Sequence, residues 1–185
     1  MDGKQKLTSS SWEDIVSGKK FNLYNCALDQ NGGVVFDGST SYGEYQGAVS
    51  SSYSTETIEL ATSGIVNRTA LFAQPEYTGI SMVNESNSGK TMLIMLPPEN
   101  RTQPNAPLGS KIISSWSPRS SNFLAVADKV QTSSSGSTIF NPTSTANITT
   151  IGAGNNANRT AKFTGTIYAI RIYNRKLTKD EMIQN

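Results

Sequence analysis

The chain has 185 residues, a formal net charge of +2, one cysteine and no histidine, so an internal disulfide and any Ser-His or Cys-His catalytic pair are excluded. Only 16% of residues are charged, the basic ones are scattered apart from Lys19-Lys20 and the 171–179 region, and no stripe suited to nucleic acid arises. Ser and Thr make up 44 of the 185 residues, beside 16 Asn and 15 Gly, a composition that favours turns and solvent-facing strand positions over helix interiors.

Taken in chain order, Met1 to Ser11 reads as a tail or linker, and residues 12–185 read as one domain. The opening residues lack the apolar core of a signal peptide. Either the chain works where it is made or it is a domain of a longer exported protein. No apolar run reaches the ~18 residues that span a bilayer, so membrane insertion is not expected. Glu13 to Gly18 reads as a turn before a strand at Phe21 to Tyr24, and Cys26, beside Leu23, Tyr24 and Leu28, reads as a buried inert thiol. Asn31-Gly32-Gly33 and Asp37-Gly38 are turns around the strand Val34 to Phe36.

From Ser54 to Leu60 the alternation predicts a half-buried strand. Further strands are predicted at Thr69 to Phe72, Ile80 to Val83 and Thr91 to Leu96, with a polar hairpin turn from Asn84 to Gly89. Residues 97–110 hold four prolines and read as one long surface loop. Lys111 to Trp116 and Asn122 to Ala127 are strands, Ser-rich 132–137 a flexible tip, Ile139-Phe140 a short strand. Ile148 to Ile151 reads as the start of a last hairpin through Gly152 to Arg159, and Ile167 to Tyr173 as its closing strand. Thr178 and Glu181 have capping-box spacing and predict a short terminal helix. About ten to thirteen short strands with no earlier helical pattern specify an all-β fold: a two-sheet antiparallel β-sandwich or jelly roll.

The segment from Phe163 through Gly165, the strand ending Tyr173-Asn174-Arg175, and then Leu177-Thr178 with the acidic pair Asp180-Glu181 resembles the closing signature of laminin G-like domains. These belong to the concanavalin A-like lectin/glucanase superfamily. Trp12 to Gly18 and Val35 to Tyr42 resemble two further elements in the expected order. Where the family often has an Asn-Gly turn, this chain has Asp128-Lys129. The resemblance implies a concanavalin A-like sandwich over about residues 12–185. With the lack of disulfides, it also implies a bacterial or phage source and an extracellular, cell-surface or virion setting.

Glucanases of that superfamily carry paired carboxylates on one strand face. Here Glu56 and Glu59 are three apart, on opposite faces of a strand, and read as solvent or rim carboxylates rather than as a catalytic pair. No enzyme is expected. Calcium is the cofactor the resemblance brings into question, with Asp37 and Asp128 as candidate ligands. Five Asn-x-Ser/Thr triplets, at Asn67, Asn84, Asn100, Asn147 and Asn158, match the about four that chance gives for 16 Asn among 44 hydroxyl residues in 185. They carry no information on glycosylation. Sugars stack on loop aromatics beside amides and cations, which selects Tyr42, Tyr45, Tyr77 and Trp116 with Asn84, Arg119 and Asn122 as candidate ligand residues. The expected function is a non-catalytic recognition module for a glycan or cell-surface protein, acting through loops at the sandwich rim. The alternative is a structural decoration or fibre domain that packs as a homo-oligomer or in a virion and binds no sugar.

Overall fold

The computed structural model describes residues 6–47, 56–63, 69–73, 80–84, 93–95, 100–102, 111–116, 122–127, 130–135, 148–154, 158–159, 161–173, 175 and 177–184. The strands are β1 (Leu7–Thr8), β2 (Ser11–Glu13), β3 (Lys20–Tyr24), β4 (Ala27–Leu28), β5 (Val34–Asp37), β6 (Tyr42–Gln46), β7 (Glu56–Ser63) and β8 (Thr69–Ala73). They continue as β9 (Ile80–Asn84), β10 (Leu93–Met95), β11 (Asn100–Thr102), β12 (Lys111–Trp116), β13 (Asn122–Ala127), β14 (Val130–Ser135), β15 (Ile148–Ile151) and β16 (Thr164–Tyr173), followed by the helix α1 (Lys179–Gln184). Among the described residues one sheet has nine strands in the order β1-β2-β3-β6-β15-β8-β9-β10-β11 and the other seven, β14-β13-β12-β7-β16-β5-β4. All their pairings are antiparallel. The chain thus forms the expected all-β, two-sheet antiparallel sandwich with a short C-terminal helix.

Alternation explains the core. In β3 the burial alternates strictly, Lys20, Asn22 and Tyr24 outward and Phe21 and Leu23 inward. Trp12, Phe21, Leu23, Leu71, Phe72 and Ile151 from the nine-stranded sheet meet Val34, Phe36, Leu60, Ile167 and Ile170 from the seven-stranded sheet in one cluster. Burying each such side chain contributes about 1.5–3 kcal/mol, and the two inner faces form the layer between the sheets.

Four expectations change. Residues 11–13 form β2, paired with β3, so a strand precedes Phe21 to Tyr24 and takes in Glu13, which the sequence had placed at the start of a turn. The proline-rich 97–110 stretch carries β11, because the segment between its prolines is free to donate to β10. Part of the Ser-rich tip is β14, whose backbone pairs with β13 and needs no apolar side chains at a sheet edge. β15 and β16 are not a hairpin: β15 pairs with β6 and β8, β16 with β5 and β7, so the chain between them changes sheets. Gly152 starts that crossing at φ 72°, its N–H donating to Leu71 O and its carbonyl accepting from Phe163 N. Ile139-Phe140 lies outside the described residues.

The terminal helix is capped as its sequence specifies. Glu181 accepts from the Thr178 N–H at 2.7 Å while the Glu181 N–H donates to Thr178 Oγ1 at 3.3 Å. Leu177 and Met182 pack with Tyr173 and Ile183 in a second small cluster. Thr178→Ala is expected to loosen this helix by about 1 kcal/mol, read as lost amide protection over residues 181–184. The Arg175 guanidinium, hydrogen-bonded to both Glu181 oxygens at 2.7 and 2.9 Å, and then the Thr178 N–H hold the Glu181 carboxyl down at about 2. Because that lies below its ordinary value of 4.5, the helix keeps this support above pH 4.5 and loses it as pH falls toward 2. Chemical shifts of the Met182 methyl across that window test it.

Candidate functional site

The outward face of β3 and β6 gathers side chains that the core does not use. Tyr24 and Tyr42 are directly opposed across the two strands, and their rings stack with centroids 4.8 Å apart and planes 20° from parallel. Tyr24 is 38% exposed. Two residues on from Tyr42, Glu44 points the same way and accepts from Arg159 at 2.8 Å, from the Tyr24 hydroxyl at 3.4 Å and from Gln46 at 3.3 Å. The Arg159 guanidinium carbon lies 5.8 Å and Lys162 Nζ 4.6 Å from the Tyr42 ring centroid. Burial and the Glu44 charge raise the Tyr42 phenol above its ordinary value.

The loop that enters β6 is rigid for a local reason. Asp37 Oδ1 accepts from the N–H groups of Ser39, Thr40 and Ser41 at 2.8–2.9 Å and from the Ser41 hydroxyl at 2.8 Å, while Oδ2 accepts from the Thr40 hydroxyl at 2.6 Å. The Thr40 hydroxyl, and after it the Ser41 and Ser39 amides, hold this carboxyl far below the usual carboxylate range. Both oxygens are thus spent on the turn that positions Tyr42. Asp128 lies outside the described residues, and among the described residues no group of three His, Cys, Asp or Glu stands together to hold a metal ion. Among the described residues, then, no carboxylate cluster stands ready for calcium, which takes six to eight converging oxygens. Cys26 is half-buried beside this face, its Sγ 3.3 Å from Tyr24 O, and burial pushes the thiol up to about 11. That shift disfavours the thiolate, the form in which a cysteine acts as a nucleophile.

The other candidate residues are dispersed. Tyr45 is three residues from Tyr42 and so faces the opposite side, packing 5.8 Å from Phe21 at the margin of the core. Asn84 ends β9, three strands across the sheet from β6. Trp116 and Asn122 lie on β12 and β13 of the other sheet. Tyr77 and Arg119 fall outside the described residues. Sequence reasoning missed Tyr24, Glu44, Arg159 and Lys162. The alternation of Lys20-Phe21-Asn22-Leu23-Tyr24 already placed Tyr24 outward, but nothing local links Arg159 to Glu44, 115 residues away.

A second cluster sits on the outside of the seven-stranded sheet. Leu60 is in the core, so its neighbour Glu59 faces away from it, yet Glu59 is fully buried. Arg171 donates to one of its oxygens and the Tyr173 hydroxyl to the other at 3.3 Å. Glu59 is thus a paired structural acid, where its sequence context read as a solvent or rim carboxylate.

No family model and no curated protein sequence matches this chain. Among solved structures it is similar to a Trypanosoma rangeli sialidase mutant displaying trans-sialidase activity, with a TM-score of 0.69 and 15% identity over 96% of this chain and 31% of that one. It is also similar to botulinum neurotoxin type C, whose cell entry depends on interaction with two ganglioside molecules, with a TM-score of 0.68 and 7% identity over 97% of this chain and 49% of that one. A receptor-binding domain gives 0.69 and 10% over 97% and 48%. The chain therefore spans about a third of the sialidase and half of the toxin chain. At these identities the likeness establishes one thing, a β-sandwich fold shared with part of each of those proteins.

Proposed function

We propose that this chain is a non-catalytic recognition module that binds carbohydrate at an extracellular, cell-surface or virion location. The observation that carries the reading is the Tyr24-Tyr42 stack, with Tyr24 exposed and Tyr42 half-buried, an aromatic platform on a sheet face bordered by the charged groups of Glu44, Arg159 and Lys162. Aromatic rings pack on the apolar faces of sugars while neighbouring polar groups meet the hydroxyls. The resemblance to laminin G-like domains supports this assignment, as does the likeness in fold to a sialidase solved in complex with sialic acid and to a ganglioside-dependent toxin. The site lies on a sheet face and its adjoining loop rather than on the rim loops alone.

A glycan array probed with the purified chain tests the reading. Saturable binding is expected, weakened about tenfold by Tyr24→Ala, with an unchanged circular dichroism spectrum. Binding indifferent to Tyr24→Ala would remove the platform from the account. The structural alternative draws on Ile15 and Val16, both exposed at the tip of a turn that Asp14 ties to Val16 N and Ser17 N. A blank array together with a multimeric mass by light scattering would shift the function to assembly.

A further inference from the structure

The two cations above Tyr42 are not equivalent. Arg159 is committed: it pairs with Glu44 at 2.8 Å, and both side chains are largely shielded, 14% and 15% exposed. Lys162, among the described residues, has no carboxylate within ion-pair distance, and its contact is the Tyr42 ring. An ammonium lying on a ring face keeps N–H donors for a second partner. Asp37, the other acid of this neighbourhood, has both oxygens occupied by its own loop. Asp37 keeps its charge but turns it into its own loop, and Glu44 is paired with Arg159, so Lys162 is the cation at this face whose ammonium, among the described residues, is left to meet an incoming anion.

The backbone that delivers Lys162 is held in a demanding shape. Arg159 and Ala161 adopt φ 48° and 54°, a region that residues with a Cβ enter at a cost and keep only when the surroundings over-determine it. Phe163, next in sequence, is anchored in the core and to Gly152 O. The loop end is thus pinned beside the stack. Tyr42 is the ring that both share: Tyr24 stacks on it at 4.8 Å between centroids, and the ammonium lies 4.6 Å from its centroid.

We propose that the site selects acidic saccharides: the sugar ring lies on Tyr24 and its carboxylate or sulfate is received by Lys162. This rests on the saccharide reading above, and the test separates the two. The affinity of the full chain is measured for two matched pairs, sialyllactose against lactose and a heparin oligosaccharide against its desulfated form. In at least one pair the acidic member binds about tenfold more tightly, the worth of a charge-assisted hydrogen bond. Lys162→Gln erases that ratio, Lys162→Arg keeps it, and Lys179→Gln, on the terminal helix, leaves it unchanged. A response in the first pair identifies a carboxylate, in the second a sulfate, and in both an anion of either kind. Equal binding of acidic and neutral members that still depends on Tyr24 overturns the anion selectivity and leaves the saccharide reading standing. A preference that survives Lys162→Gln overturns the role of Lys162. No binding of any probe overturns both readings.

Discussion

Gly152→Ala is expected to destabilise the protein by about 3 kcal/mol, the sum of a strained backbone and an overfilled core. A Cβ at this position would sit 2.2 Å from Phe36 Cδ1 and 2.3 Å from Cε1, and Phe36 is itself wedged against Phe163 with ring centroids 5.9 Å apart. The ring cannot retreat without displacing its neighbour. The positive φ of 72° adds a second penalty for any residue with a Cβ. Because Gly152 both receives Phe163 N and donates to Leu71 O, the substitution also disturbs the base of the loop that carries Arg159 and Lys162. Urea unfolding reads the loss as a lower midpoint at constant slope. In a Phe36→Leu background the cost of Gly152→Ala should shrink, since the clash is with the ring. An undiminished cost would assign the whole effect to the backbone.

Arg171→Met is expected to cost about 3 kcal/mol, far more than the ~0–1 kcal/mol of an exposed ion pair. The asymmetry lies in the partner: Arg171 is 41% exposed, but Glu59 is 0% exposed and would be left as a buried carboxylate that has lost its guanidinium, with the Tyr173 hydroxyl still donating to it. Half-exposure of the guanidinium keeps the figure at the low end of the range for broken buried pairs. Replacing both partners, Glu59→Leu with Arg171→Met, should recover most of the loss, because an apolar pair leaves no orphaned charge. The four proteins form a double-mutant cycle read by urea unfolding. A single-variant loss below about 1 kcal/mol would mean that water reaches Glu59 and that the cluster does not tie β7 to β16.

The turns closed by Asp29 and Asp37 and the terminal helix were legible because each is specified by neighbours within four residues. Asp29 accepts from Asn31 N and Gly33 N at 2.8 Å, which makes the Asn-Gly-Gly turn. Asp37 closes its own loop in the same way, and Thr178 and Glu181 cap each other. Strand identity was legible where alternation was strong, as in β3, and was lost where strands are built from Ser and Thr. In β14, pairing with β13 supplies the backbone hydrogen bonds that the side chains do not advertise. Glu59 was misplaced for a related reason. Alternation correctly turned it away from the core, but covering an outer face is a property of Arg171 and Tyr173, more than a hundred residues downstream.

The candidate site divides along the same line. Period-two alternation alone sends Tyr42 and Tyr45 to opposite faces and Tyr24 to the same outward face as Lys20 and Asn22. By itself, then, the sequence determined an all-β sandwich, its turn chemistry, its terminal cap and which side chains can face outward. Only the tertiary structure decided that β3 and β6 are neighbours, that β15 and β16 lie in different sheets, and that Arg159 and Lys162 arrive over Tyr42. The physical reason is that turns and caps are closed by hydrogen bonds a few residues long. The partner of a strand, by contrast, is chosen by burial summed over both sheets, which no local window contains.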